Sequence, residues 1–190
     1  MPGLRDQLES CFAGEVCLMG IGNPDYSDDG FGPCLATALL AKGMPGLPPQ
    51  EPKGACVGGT AVVVAGTCPE RYLGPVTSQG FDNLVFLDAV AFGGQPGSVI
   101  FLDAEQLIPR FPQISTHKIS LGVLAKWAEA NGRTKAWLLG VEPESTRPAR
   151  ELTPTVQRTL EALAELLCDL RPAQPLRPTR PIPSAMEGEA

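Results

Sequence analysis

Five short apolar runs, separated by stretches of helical length, constrain the fold of this chain more than any other feature. Each run ends at or beside a glycine or an aspartate. The runs are 16–22, 60–65, 83–88, 98–102 and 136–141. Runs of this length, bounded by turn residues, are typical of strands buried on both faces. Because they alternate with helical segments, the sequence predicts an α/β fold, a three-layer αβα sandwich around a mostly parallel five-stranded sheet.

The first two helices follow the first two runs. One is expected from about Asp29 to Lys42, with Asp28 or Asp29 capping its start and Gly43 ending it. A second is expected to open at Cys68–Leu73.

Two further helices are predicted from apolar spacing. A helix over about 118–130 would bury Ile119, Val123, Leu124 and Trp127. The last helix has the clearest pattern, with Thr153 as N-cap and Pro154 in its first position. Its apolar residues recur at steps of four and three, which places them on one face. They are Val156, Leu160, Leu163, Leu167 and Leu170.

A length of 190 residues fits one domain, which we place at 1–170. Residues 171–190 carry five prolines and are predicted to be a Pro-rich disordered tail. Residues 43–54 hold four prolines and are predicted to form a surface loop.

Charge and hydropathy exclude several classes of partner. The net charge is −6, and no stripe of Lys and Arg offers the positive face that nucleic acid requires. The longest apolar runs are far shorter than the ~20 residues of a membrane span, and no basic amphipathic stretch is present. No export signal is visible. We therefore expect a cytoplasmic monomer that binds neither nucleic acid nor membrane.

The cysteines and the single histidine limit the chemistry further. The six cysteines never lie two to four residues apart, so zinc-knuckle spacing is missing and the thiols are expected to be reduced. One histidine, His117, cannot form a two-histidine zinc or iron site. Any chemistry must rely on carboxylates with at most one imidazole.

Acids occur where an α/β sheet binds ligands, at the carboxyl ends of its strands. Asp28 and Asp29 follow the first run, and Asp88 ends the third. Each has a structural alternative, because the paired acids can cap a helix and Asp88 can accept hydrogen bonds from turn amides. Asp103 is interpreted as a turn residue. A dinucleotide-binding loop is disfavoured because Asp25 stands where its third glycine belongs.

His117 is the third candidate. Ser115 or Thr116 can cap the following helix, which would place His117 in its first turn, where the helix dipole favours a neutral imidazole. A hydrogen-bonded structural histidine is the alternative. Two acids and one imidazole together form a ligand set suited to a divalent first-row metal, with coordination positions left open for a substrate.

These residues belong to a longer series of motifs. It starts with Gly22-Asn23-Pro24 and Asp28-Asp29-Gly30-x-Gly32. It continues through Gly66-Thr67-x-Pro69-Glu70, Asp88-Ala89, Gly94-x-Pro96-Gly97, Ser115-Thr116-His117, Gly140–Ser145 and Leu152–Val156. In order and spacing the series resembles the [NiFe]-hydrogenase maturation endopeptidases over roughly residues 15–170.

The resemblance implies a peptidase that removes a C-terminal peptide from the large-subunit precursor of a hydrogenase after nickel insertion. In that family an acid of the first loop, an acid ending the middle strand and a histidine bind the nickel of the precursor. By motif position these are Asp29, Asp88 and His117, expected as metal ligands and catalytic residues. Asp28 is assigned to helix capping. The implied partner is the precursor, and the implied metal is the precursor's nickel.

The chain departs from the family at the end of its second strand. Relatives often carry Asp-Gly-Gly there, whereas this chain has Val64-Ala65-Gly66. A valine cannot coordinate a metal, accept a proton or hold a water molecule, so the catalytic detail stays open. One alternative is a non-catalytic nickel-recognition or chaperone module for the same precursor. Another is a sandwich domain without a metal.

Overall fold

The computed structural model describes residues 2–47, 59–110, 120–130 and 132–171. The strands are β1 (Val16–Ile21), β2 (Thr60–Gly66), β3 (Asn83–Ala89), β4 (Val99–Asp103) and β5 (Lys135–Val141). The helices are α1 (Leu4–Phe12), α2 (Phe31–Ala41), α3 (Glu70–Ser78), α4 (Ala104–Arg110), α5 (Leu121–Glu129) and α6 (Pro154–Asp169). A 3₁₀ turn (Ser27–Gly30) leads directly into α2.

The five strands form one sheet in the order β2-β1-β3-β5-β4. Strands β2, β1, β3 and β5 are parallel, and β4 runs antiparallel to β5 at the edge. The predicted mostly parallel five-stranded sheet is thus confirmed. Each strand lies within a residue or so of the apolar run that predicted it.

Helices cover both faces of the sheet, as strands buried on both sides require. Helices α1, α2 and α6 pack on one face, and α3, α4 and α5 pack on the other. Side chains alternate between these two cores along each strand. In β3, for example, Val85 and Leu87 join the first core while Leu84 and Phe86 join the second.

The strongest helical pattern is confirmed in α6. The helix starts at Pro154 after Thr153, and its buried residues include Val156, Leu160, Leu163 and Leu167. Helix α3 begins close to its expected position, with Pro69 as N-cap.

Helix α5 differs from its prediction in both cap and buried face. Its N-cap is Ser120, whose hydroxyl accepts a hydrogen bond from the Val123 amide, so the expected cap at Ser115 or Thr116 is wrong. Of the predicted apolar residues, Leu124 is buried, Val123 and Trp127 are exposed, and Ile119 lies outside the described residues. The face that packs on the sheet is Leu121, Leu124, Ala125 and Ala128. Small alanines let this helix lie close to the strands, and they carry little weight in a pattern of large apolar residues.

The segment after α2 is only partly the expected surface loop. Met44 and Leu47 are buried, and residues 45–47 pair with the outer edge of β2. The Leu47 amide donates to the Val62 carbonyl at 2.9 Å, and the Val62 amide donates to the Pro45 carbonyl at 2.9 Å. Residues 48–54 of the predicted loop lie outside the described residues.

No helix within the described ranges is both long and apolar enough to cross a lipid bilayer. The predicted tail at 171–190 lies outside the described residues from 172 onwards.

Candidate functional site

Asp88 lies near the end of the central strand, at the carboxyl edge of the sheet. Its neighbour Leu87 pairs with Gly20 of β1, and Asp88 pairs with Gly140 of β5. The residue is buried, with 2% of its surface exposed. Strand order therefore places the backbone of Asp88 between the last residues of β1 and β5.

Asp29 lies on the 3₁₀ turn that follows β1, and this turn packs against β3. The residue is buried, and its Oδ2 accepts a hydrogen bond from the Asn23 amide at 2.9 Å. Gly22 has φ of 137°, and a Cβ there would overlap the carbonyl oxygen of Asp29. The turn can fold back on itself because this position is glycine.

Close backbone packing fixes the start of α2 against the sheet. A Cβ on Gly32 would overlap the carbonyl oxygens of Ile21 and Leu87. A Cβ on Gly20 would overlap the carbonyl of Gly32. Two glycines thus let the helix that follows Asp29 rest directly on the residue that precedes Asp88, which brings both predicted acids to the same edge.

Asp28 has a different role from the one predicted. The N-cap of α2 is Gly30 without a side-chain cap, so neither Asp28 nor Asp29 caps that helix. The Asp28 carboxylate instead accepts hydrogen bonds from Glu144 N, Ser145 N, Thr153 N and Thr153 Oγ1, at 2.9, 3.0, 2.7 and 3.0 Å. A fully buried carboxylate satisfied by four donors fastens the first loop to the connection between β5 and α6.

Backbone contacts continue this attachment. Ser27 N donates to the Ala149 carbonyl at 2.7 Å, and Ala149 N donates to the Asp25 carbonyl at 3.0 Å. Ser27 has φ of 48°, a left-handed conformation that is uncommon outside glycine and persists only when the surroundings enforce it. Because β3 lies between β1 and β5, a loop that starts at β1 and binds the segment after β5 must cross the end of β3.

Glu142 is a residue at this edge that the sequence analysis gave no individual role. It follows β5 directly, and its Oε2 accepts hydrogen bonds from Phe92 N at 2.8 Å and Gly94 N at 3.0 Å. These amides belong to the segment that follows Asp88. An acid placed immediately after a buried parallel strand was the available signal, and it is the signal that singled out Asp88.

The third predicted ligand, His117, lies outside the described residues. Within 2–47, 59–110, 120–130 and 132–171, no three His, Cys, Asp or Glu side chains are grouped closely enough to hold a metal ion. The predicted trio of Asp29, Asp88 and His117 therefore stays a prediction, with its two acids placed at one edge.

The position at which relatives often carry an aspartate is open to solvent. Val64 pairs with Gly20 near the end of β2, and 39% of its surface is exposed. Tyr26, on the loop that crosses β3, is 45% exposed. Two large, mainly apolar side chains at the carboxyl edge are therefore exposed to solvent.

The described cysteines are free thiols: Cys11, Cys17, Cys34, Cys68 and Cys168. Burial raises the pKa of Cys11 to about 12, and it also raises the pKa values of Cys17 and Cys34. These three thiols stay protonated near neutral pH, which makes them poor nucleophiles and poor metal ligands.

Comparison with known proteins identifies the family. The model of the hydrogenase maturation protease family matches residues 52–170, more than half of the chain. The chain belongs to this family. The resemblance inferred from the motifs is confirmed, and a member of this family is a peptidase, that is, a hydrolase.

Individual relatives of the hydrogenase maturation protease family agree. The Hydrogenase 2 maturation protease of Escherichia coli is 29% identical over 161 residues, which is 82% of this chain and 90% of the relative. The crystal structure of the [NiFe] hydrogenase maturation protease HycI from Thermococcus kodakarensis superposes with a TM-score of 0.70 at 28% identity, covering 86% of this chain and 97% of that one. The hydrogenase maturating endopeptidase HybD of E. coli superposes with a TM-score of 0.62 at 26% identity, and the match covers 80% of this chain and 88% of that one.

Proposed function

We propose that this protein removes the C-terminal peptide from the nickel-loaded large-subunit precursor of a [NiFe] hydrogenase. Family membership supports a maturation protease, and the T. kodakarensis relative is named for [NiFe] hydrogenase. The single observation that carries the proposal is the pair of buried carboxyl groups, Asp29 and Asp88, held at one edge by close backbone packing.

The nickel of the precursor is part of the substrate, and Asp29, Asp88 and His117 are its proposed ligands on this protein. Oxygen and imidazole ligands suit a divalent first-row metal, and three of them leave positions for ligands from the precursor. His117 joins the set by its place in the Ser-Thr-His motif, three residues before the N-cap of α5. Only a nickel-loaded precursor would complete the coordination, so metal recognition acts as a checkpoint before cleavage.

Cleavage would then follow from polarisation of the scissile carbonyl by the metal, with a carboxylate guiding the attacking water. A covalent route has less support. The sequence carries no serine-nucleophile elbow, and the thiols of Cys11 and Cys17 are buried and protonated.

The test is a precursor-processing assay with and without nickel, read by the mass of the large subunit. We expect a shortened large subunit only with the nickel-loaded precursor, and none with His117→Ala at an unchanged circular dichroism spectrum. Asp103→Asn is the matched control, because Asp103 ends β4 and its Oδ1 accepts a hydrogen bond from Gln106 N. Undiminished cleavage by His117→Ala would remove the histidine from the mechanism.

A second candidate function is a nickel-recognition or chaperone module that binds the same precursor without cutting it. The exposed Val64, at the position where relatives often carry an aspartate, favours this candidate. The same assay separates the two, because a stable uncleaved complex would replace the shortened product. A domain without any metal role would show no Ni(II) binding by calorimetry with the precursor present.

We further propose that the protein works as a cytoplasmic monomer. The five free thiols within the part of the chain that the structure describes fit a reducing compartment. Fractionation of cells and sedimentation of the purified protein test the two statements.

A further inference from the structure

The connection between β5 and α6, residues 142–153, is fastened by two buried carboxylates. Asp28 binds the amides of Glu144, Ser145 and Thr153 from the loop that carries Asp29. Glu142, which is itself the first residue of the connection, binds the segment that follows Asp88. One short piece of chain is therefore attached both to the loop that carries Asp29 and to the segment that follows Asp88.

The attachment to the segment after Asp88 involves both side chain and backbone. Besides its side-chain bonds to Phe92 N and Gly94 N, Glu142 accepts a hydrogen bond at its carbonyl from Gly97 N, at 2.9 Å. Its own amide donates to the Ser98 carbonyl at 2.9 Å. The nine residues between β3 and β4 are thus bound near their middle and at their end.

The two carboxylates differ in how they use their oxygens. Glu142 receives both amides on Oε2 alone. Asp28 receives Thr153 N on Oδ1 and three other donors on Oδ2. A carboxamide could therefore replace Glu142 with its one oxygen facing both amides. At Asp28 a carboxamide would turn an N–H group towards another donor.

We propose that Asp28 and Glu142 are positioning residues that fix Asp29 and Asp88 relative to each other through the 142–153 connection. The effect on rate rests on the proposed function, whereas the coupling between the two loops is a property of the fold. Neither residue needs to touch the precursor. Each acts by holding a neighbouring segment, as residues behind metal ligands commonly do.

A matched control exists at the other end of β5. Glu129 Oε1 accepts a hydrogen bond from Ala136 N at 3.0 Å, near the strand's first residue. It is a half-buried glutamate bonded to a backbone amide, far from the predicted acids. A substitution of Glu129 therefore removes the same kind of hydrogen bond at a distance from the site, and it shows how much of any loss of rate comes from lower stability alone.

The kinetic test compares Glu142→Leu, Glu142→Gln, Asp28→Asn and Glu129→Leu in processing of the nickel-loaded precursor, at a temperature where each is folded. Glu142→Leu is expected to lower kcat about 10- to 100-fold with KM little changed. Glu142→Gln should keep most of the parent's rate, because its amide oxygen can still accept both hydrogen bonds. Asp28→Asn should lose rate, although it is also a carboxamide. Glu129→Leu should have the rate of the parent. Equal losses in Glu142→Leu and Glu129→Leu, or no recovery with glutamine, would overturn the positioning role.

Hydrogen exchange read by mass spectrometry decides the coupling without reference to cleavage. Glu142→Leu should speed exchange in 92–98 and also in 23–30, whereas Glu129→Leu should speed it only around 136. Faster exchange confined to 92–98 would contradict the coupling. Failure of the parent protein to cut the precursor would overturn the proposed function instead, and the exchange result would still stand.

Discussion

The two ends of the sheet use polar residues in different ways. At the amino end, Asp82 accepts one hydrogen bond from Glu15 N, and Glu129 accepts one from Ala136 N. At the carboxyl end, Asp28 accepts four hydrogen bonds and Glu142 accepts two. In each of these six bonds, either the donor or the acceptor belongs to the 142–153 connection. At the amino end each of these two acids receives a single donor, whereas at the carboxyl end two acids fasten the 142–153 connection both to the loop that carries Asp29 and to the segment that follows Asp88.

The difference shows that an acid beside a strand does not by itself mark a functional site. Asp82 directly precedes β3 and Glu129 ends α5, and the one hydrogen bond that each accepts from a backbone amide accounts for it as an attachment between segments. The carboxyl end is set apart by two buried acids, Asp29 on a loop and Asp88 near the end of β3, and the segments beside them are held from several directions. Rigid support around an acid is what catalytic geometry requires.

The largest expected effect is on catalysis. Asp88→Asn should lower the rate of precursor processing by about 100- to 1,000-fold, because it removes a proposed charged ligand to the substrate's metal. Asp82→Asn should change the rate less than threefold, since asparagine can still accept from Glu15 N. Initial rates by mass spectrometry measure both. Equal losses at the two ends would erase the functional distinction between them.

Substitution of a glycine should lower the free energy of unfolding more at the carboxyl end of the sheet than at the amino end. Gly32→Ala is expected to cost about 3 kcal/mol or more, because its Cβ would overlap backbone oxygens of β1 and β3 that cannot move aside. Gly14→Ala at the amino end should cost about 1 kcal/mol, since its Cβ would meet Asp82 Oδ2 at 2.9 Å, and a side chain can shift more easily than backbone. Urea unfolding measures the free energies. A Gly32→Ala variant as stable as Gly14→Ala would contradict the packing described for α2.

Threonine hydroxyls offer a finer comparison. Thr153→Val should lower the free energy of unfolding by about 2 kcal/mol, because its hydroxyl donates to the Asp28 carboxylate. Thr134→Val should cost about 1 kcal/mol, because its hydroxyl donates to the neutral Phe81 carbonyl at 2.9 Å. A larger loss of stability in Thr134→Val than in Thr153→Val would mean that the hydrogen bond to Asp28 stabilises the fold less than its charge indicates.

The smallest effect concerns the pH dependence of stability that comes from the buried thiol of Cys11. This residue lies at the amino end, where its backbone carbonyl accepts a hydrogen bond from the Asn83 side chain. The ordinary pKa of 9.0 rises to about 12 in the folded protein, so between these values the unfolded state binds fewer protons and stability falls as pH rises. In Cys11→Ala the drop in unfolding free energy from pH 8 to pH 10 should be smaller by about 1.4 kcal/mol. Leu8→Ala on the same helix removes packing without a thiol, and its pH dependence should match the parent protein.

Local sequence was enough to predict most of the fold. The five strands follow from apolar runs, and α6 from a spacing that only a helix puts on one face. Helices α1 and α4 were not predicted. Pro109 lies within α4 and argues against a helix there, whereas the buried Leu8, Cys11 and Phe12 of α1 have helical spacing, so that signal was available in the sequence. The buried face of α5 was misread because its small alanines face the sheet.

The site could be predicted only in part, because its supports connect distant residues. The strand-end rule located Asp29 and Asp88 at one edge. It could not show that Asp28 binds residues 116 to 125 positions further along the chain. Capping was the local interpretation of that acid, and the tertiary contact replaced it.

The reversed direction of β4 has a consequence for how this edge can change between relatives. Val99 pairs with Val141, so β4 begins at the end of the sheet where β3 finishes, and the chain passes between them without a crossover helix. The number of residues in the connection between β3 and β4 is therefore not fixed by the need to place a packed helix. Insertions or deletions in this short connection can reshape the rim beside the proposed site while the four parallel strands keep their register.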